Sequence, residues 1–176
     1  YLPADKQGQL NVEFHRGLAK ALDRIRAKYP DVLIQACASG GGRVNWGILP
    51  WFDEFWTSDN TDAFQRLNIQ WGTSFFYPAV AMGSHISVVP NHNTHRVVPL
   101  KYRADVAMTG RLGMELQPRQ MTDEERQFAR RAIASYKEYR DIVMQGDLYR
   151  IGTPYDKSGC YGLMYVSKDR KQAVLF

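Results

Sequence analysis

The stretch Trp56-Thr57-Ser58-Asp59-Asn60-Thr61-Asp62 decides how this sequence of 176 residues is read. It follows a short apolar run, Trp51-Phe52-Asp53-Glu54-Phe55, and precedes helix-forming residues that include Gln65 and Arg66. That is the pattern of a buried strand ending in a polar turn that opens a helix. In an α/β barrel such turns lie at the C-terminal rim, where catalytic groups are carried. An aromatic ring, hydroxyls and a carboxylate in one turn are the parts of a sugar site, in which a carboxyl group protonates a departing oxygen. The plain alternative is that Ser58, Asp59 or Asn60 is an N-cap and Trp56 is core, because Asp and Asn are favoured caps.

Upstream, Phe14, Leu18, Leu22, Ile25 and Tyr29 recur at spacings of three and four. They predict an amphipathic helix over 10–29, after a polar loop over 1–9 and stopped by Pro30. Residues 31–37, Asp-Val-Leu-Ile-Gln-Ala-Cys, then read as a buried strand, and helix followed by strand is the α/β rhythm. Ala38-Ser39-Gly40-Gly41-Gly42-Arg43 follows. Consecutive glycines at a strand end permit positive φ and close approach of a ligand. The Lys-Ser/Thr pair of a phosphate loop is absent.

Downstream, a helix is expected over 61–70 and an aromatic strand over 71–78. Residues 79–100 read as a long loop holding His85, His92 and His95. The spacing of His92 and His95 fits no zinc signature, so no metal site is expected. Residues 102–116 mix strand and turn signals. Thr122-Asp123-Glu124-Glu125 is a capping box for a helix that runs to Gln145, with Phe128, Ala132, Ile133, Tyr136 and Val143 inward and Gly146 as its stop. From Tyr149 the pattern turns to β, and Ala173-Val174-Leu175-Phe176 reads as a strand of a domain that begins here.

The net charge of +5 comes from scattered Lys and Arg with acidic neighbours, and no nucleic-acid motif is present. No apolar run approaches membrane-spanning length. Two cysteines, Cys37 and Cys160, do not make a disulfide scaffold. The chain begins at Tyr1 without an initiator Met and reads as a piece of something longer.

Several motifs in order resemble the family 36 glycoside hydrolases, the microbial α-galactosidases. They are Cys37-Ala38-Ser39-Gly40-Gly41-Gly42-Arg43, Trp56 to Asp62, and Met82-Gly83-Ser84-His85 with Val89-Pro90-Asn91-His92. The runs Ala107 to Leu116, Tyr136 to Arg140 and Gly146 to Arg150 look like the same family. The resemblance implies an α/β fold: the second half of a (β/α)8 TIM barrel over 1–147, followed by the first strands of a C-terminal antiparallel β-sandwich over 148–176. It implies Asp59 as general acid/base, Cys37 and Gly40 against galactose hydroxyls, and Ser39 and Trp56 as pocket lining. It implies retaining hydrolysis of α-galactoside oligosaccharides such as melibiose or raffinose, without metal or cofactor. The family's nucleophile is the Asp of a Lys-Trp-Asp motif, which is absent here. Asp5 lies in a polar context with no Trp before it and does not qualify, so the nucleophile is expected upstream of Tyr1. The partners expected are therefore substrate and the remainder of the catalytic domain, with a homo-oligomer left open and a bacterial cytoplasm or periplasm as the compartment. The alternatives are an α-N-acetylgalactosaminidase or a galactosyl transferase of the same fold, or a non-catalytic carbohydrate-binding relative.

Overall fold

The computed structural model describes residues 3–156 and 159–176. In chain order the elements are α1 Leu10–Lys28, β1 Gln35–Ala36, β2 Glu54–Trp56, α2 Ala63–Thr73, β3 Met82–Ser87, α3 Leu100–Ala107, β4 Arg111–Glu115 and α4 Asp123–Gln145. The strands β5 Asp147–Gly152, β6 Tyr161–Val166 and β7 Ala173–Leu175 follow. Strands β1 to β4 form one parallel sheet in sequence order, and β5 to β7 form an antiparallel sheet. The fold is thus α/β, with a parallel and an antiparallel sheet.

The register gives the parallel sheet two distinct faces. Phe55 pairs with Met82, and Ser84 and Ile86 follow on the same side. That side meets the helices: Ile86 packs with Leu100, Ala104, Ala107, Ala132 and Tyr136. Phe55 packs with Ala36 and Ala81. Burying a side chain of the size of Ile86 or Phe55 contributes roughly 1.5–3 kcal/mol. The opposite side carries Gln35, Glu54, Trp56, His85 and Arg111, and it is polar. There the Glu54 carboxylate accepts from Gln35 at 2.6 Å and meets Arg111 at 2.7 Å. Successive layers of this face climb toward the C-terminal ends of the strands.

Several expectations need correction. Residues 4–9 form a 3-10 helix that runs into α1, rather than a loop. Of the strand expected over 31–37, only Gln35–Ala36 pairs, because β1 is an edge strand and its ladder gives way to a side chain. Asp53 Oδ2 accepts from the Ile34 N–H at 2.8 Å, and Arg26 holds that carboxylate at 2.5 Å. Burial pushes the Asp53 carboxyl up. The hydrogen bonds from Arg26 and Ile34 and the charges of Arg26 and Arg111 outweigh it and hold the group below its ordinary value.

Helix α2 begins two residues later than expected and swallows Trp71, so no strand occupies 71–78. Trp71 is buried on the last turn of α2 and meets Phe75, just past the helix end, edge to face at 6.4 Å. The expected loop over 79–100 contains β3, whose small residues disguise it and which places His85 in the sheet. The mixed stretch over 102–116 resolves into α3 and β4. Pro99 precedes α3, and Lys101 pairs with Asp105 at 2.6 Å across one turn.

The capping box of α4 forms in full, with Glu125 N–H on Thr122 Oγ1 at 3.1 Å and Thr122 N–H on Glu125 Oε2 at 2.9 Å. Such a cap contributes about 1 kcal/mol. Ala132, Tyr136 and Val143 are buried from α4 as the spacing predicts. Val143 then joins Trp71, Leu163 and Tyr165 in a core shared by α2, α4 and the antiparallel sheet.

Candidate active site

The C-terminal ends of β1, β2 and β3 bring three segments to one edge of the sheet: the glycine loop over 37–43, the turn over 57–62 and the loop over 88–96. Gly40 joins the first two. Its φ is +73°, and a Cβ there would lie 2.6 Å from Ser58 Cα and 2.9 Å from Asp59 N. A side chain at position 40 would push the turn away. Ser39 is also left-handed, at φ +50°, and is exposed. Cys37 is an exposed thiol directly after β1, and no disulfide joins it to Cys160.

The turn is built from side chains that bond to nearby backbone. Ser58 Oγ accepts from Asn60 N–H and Asn60 Oδ1 from Asp62 N–H, both at 3.1 Å. The N-cap of α2 is Asp62, which accepts from Phe64 N–H at 3.1 Å. Its side chain is fully buried, receives Thr94 Oγ1 at 3.0 Å and pairs with Arg96 at 2.5 Å. Asp62, rather than Ser58, Asp59 or Asn60, is therefore the cap, and it also pairs with Arg96. Asp59 does neither. It is exposed on the rim, and its carboxylate has no hydrogen-bond or ion-pair partner among the described residues.

The backbone beneath Asp59 is fixed from two sides. Asn93 Nδ2 donates to Asp59 O at 3.1 Å. Arg66 donates to Ser58 O at 3.0 Å and to Gly83 O at 2.9 Å. Asn91, buried, donates to Thr61 Oγ1 at 3.0 Å and accepts from the N–H groups of Asn93 and Thr94.

Trp56 is buried rather than an open platform. Its ring lies 4.4 Å from the Arg66 guanidinium and 4.4 Å from the His85 ring. His85 in turn rests on Gly113, where a Cβ would stand 2.4 Å from the imidazole. Burial holds the His85 imidazole below its ordinary value, Arg66 adds to this, and Glu115 and Glu54 oppose it.

The structure thus brings Gly40 against Ser58 and Asp59, sets Cys37 and Ser39 on the same rim, and places Trp56 under it. The sequence reading missed Arg66, His85, Asn93 and Arg96. Asp62, Arg66 and Gln70 recur at i, i+4 and i+8, which marks one face of α2. A polar stripe reads the same whether it is solvated or buried, so the pattern alone gives no signal. In 90–96 the histidines draw attention, whereas the asparagines make the contacts.

Residues 1–146 match the melibiase family model. The chain is 41% identical over 174 residues to α-galactosidase AgaA of Geobacillus stearothermophilus, covering 99% of this chain and 24% of that protein. It is 46% identical over 165 residues to the probable α-galactosidase C of Aspergillus terreus, covering 93% and 22%. Among solved structures, a variant of AgaA from Geobacillus stearothermophilus in complex with raffinose matches with a TM-score of 0.94 at 41% identity, over 99% of this chain and 24% of that one. The α-galactosidase from Lactobacillus brevis matches with a TM-score of 0.94 at 40% identity, with the same coverage. The chain spans about a quarter of the length of the curated relatives it matches. By these matches the chain belongs to the melibiase family, that of the family 36 α-galactosidases.

Proposed function

We propose that the complete protein is a retaining α-galactosidase that releases terminal α-galactosyl residues from oligosaccharides of the melibiose and raffinose type, with Asp59 as general acid/base. One observation carries this reading. Of the two carboxylates in the turn over 57–62, Asp62 is consumed by the cap and by Arg96, and Asp59 is left exposed at the C-terminal edge of a parallel sheet. That edge is where an α/β barrel carries its catalytic groups. The variant of AgaA bound to raffinose, and another bound to stachyose, are consistent with the substrate class.

In this reading the four parallel strands are half of a (β/α)8 barrel. The antiparallel strands open a β-sandwich, with the division between residues 147 and 148. Asp59 protonates the glycosidic oxygen as it leaves and then, as its carboxylate, deprotonates the incoming water. A retaining enzyme needs a second carboxyl about 5–5.5 Å away to form the glycosyl-enzyme. That nucleophile is supplied by residues outside these 176. Cys37, Ser39 and Gly40 line the sugar site from the neighbouring loop, and Trp56 supports it from beneath. No cofactor is invoked.

Asp59→Asn in the complete protein tests the assignment. Melibiose, whose leaving group needs a proton, should lose about 10²–10⁴-fold in kcat/KM. A dinitrophenyl α-galactoside should still form the glycosyl-enzyme, which accumulates. Azide needs no base, so it should restore turnover and yield α-galactosyl azide. A β-azide product would make Asp59 the nucleophile, and equal losses on both substrates without rescue would remove it from the chemistry.

A further inference from the structure

Arg66 is a buried cation held by carbonyl oxygens. It is 2% exposed, and no carboxylate pairs with it among the described residues. Its N–H groups go instead to Ser58 O, Gly83 O and Gln70 Oε1, the last at 3.1 Å, and its plane lies over Trp56. Burying a charge in this way is costly, and an apolar side chain of the same length would fill the space without that cost. What only a guanidinium does here is join two carbonyls that the sheet cannot join. The β2–β3 pairing ends at Trp56↔Gly83, so the backbone of Ser58 has left the ladder.

The guanidinium is itself aimed by a second layer. Gln70 Nε2 donates to Val106 O at 2.9 Å and to Thr109 Oγ1 at 2.6 Å, which turns Gln70 Oε1 toward Arg66 and Ser84. With Asn93 on the outer side, the two successive carbonyls of Ser58 and Asp59 are both held. Burial lowers the Arg66 pKa to about 10, which leaves it charged at neutral pH.

We propose that Arg66, with Asn93 opposite, is a positioning residue that fixes the Ser58–Asp59 backbone and so aims the Asp59 carboxyl at the leaving oxygen. The inference rests on Asp59 being the acid/base. A carboxyl misplaced by about 1 Å costs about 10²-fold when it must transfer a proton in the transition state. In kcat/KM, which reports the first step, the loss therefore falls on substrates that need protonation.

The test compares Arg66→Lys, Asn93→Ala and Asp59→Asn in the complete protein, on melibiose and on a dinitrophenyl α-galactoside. Arg66→Lys keeps the charge but cannot span both carbonyls. It should lower kcat/KM on melibiose by about 10²-fold, through kcat rather than KM, and largely spare kcat/KM on the activated substrate. The glycosyl-enzyme from that substrate accumulates, because the same carboxyl is the base for water. Asn93 is exposed, so Asn93→Ala keeps the fold and should show the same selectivity in smaller measure. Arg103 makes the same kind of bridge, from α3 to Ser87 O and Val98 O, away from Asp59. Arg103→Lys is the control and should lower thermal stability without selectivity between the substrates. Equal losses on both substrates in Arg66→Lys and Asn93→Ala, or losses confined to KM, would overturn the proposal while a selective Asp59→Asn left the acid/base reading standing. A non-selective Asp59→Asn would overturn both.

Discussion

His85 shows how a single residue ties the sheet to the rim. Its ring supports Trp56 at 4.4 Å and fits only because position 113 is glycine. An aromatic contact of this kind contributes roughly 0.5–1.5 kcal/mol beyond its buried area. Because burial keeps the folded imidazole below its ordinary value, the unfolded chain binds the proton more readily. The contribution is therefore present above the unfolded value of 6.5 and is lost as pH falls through that value toward the folded one. His85→Asn should thus lower the melting temperature of the complete protein more at about pH 8 than at about pH 5.5. A difference that grows on acidification would mean the imidazole is charged in the fold. At this scale the turn that carries Asp59 was legible, because a polar run between an apolar strand and a helix marks such a turn, while Asp59 itself was singled out by the family resemblance. His85 was not, because a histidine after Met-Gly-Ser looks like loop until the register of β3 is known.

Among the elements, α1 and the β1–β2 connection depend on Arg26. From α1 it donates to Trp51 O and Val32 O and grips the Asp53 carboxylate that replaces a ladder carbonyl at Ile34. Arg26→Met should free the segment over 31–37 at a cost of about 1–3 kcal/mol, discounted toward the lower end because the pair is partly exposed. Hydrogen exchange by mass spectrometry would register faster exchange in that segment and, behind it, in the glycine loop. Unchanged protection would show that β1 is held by its ladder alone. The helices with strong end signals were read correctly: α1 by its spacing and Pro30, α4 by its capping box and Gly146. The elements misread were the short ones. Strand β1 pairs over two residues, too little for a period to appear, and of the strand read over 51–55 the paired part is Glu54–Trp56. Helix α3, of eight residues, shows no clear apolar stripe because both Leu100 and Arg103 are buried from it.

For the molecule as a whole, the parallel sheet presents two open edges, at β1 and at β4. Much of the face of α1 expected to point inward is uncovered here: Phe14, Ile25 and Tyr29 are exposed, and Val32 and Leu33 continue the patch. Exposed apolar area beside unpaired strand edges favours association. The 176-residue polypeptide expressed alone should bind a hydrophobic dye, aggregate, and hydrolyse no aryl α-galactoside. Robust hydrolysis by the purified segment would overturn both the half-barrel reading and the outside nucleophile. The bonds from Asn93 to Asp59 and from Arg96 to Asp62 bear on inheritance as well. They make the turn after β2 and the loop after β3 partners that must descend together. A recombination crossover between Asp62 and Val88 would give a chimera a turn from one parent and its retaining loop from another. A crossover beyond Val97 would pass on the pair intact, so productive exchange among these relatives should concentrate on that side.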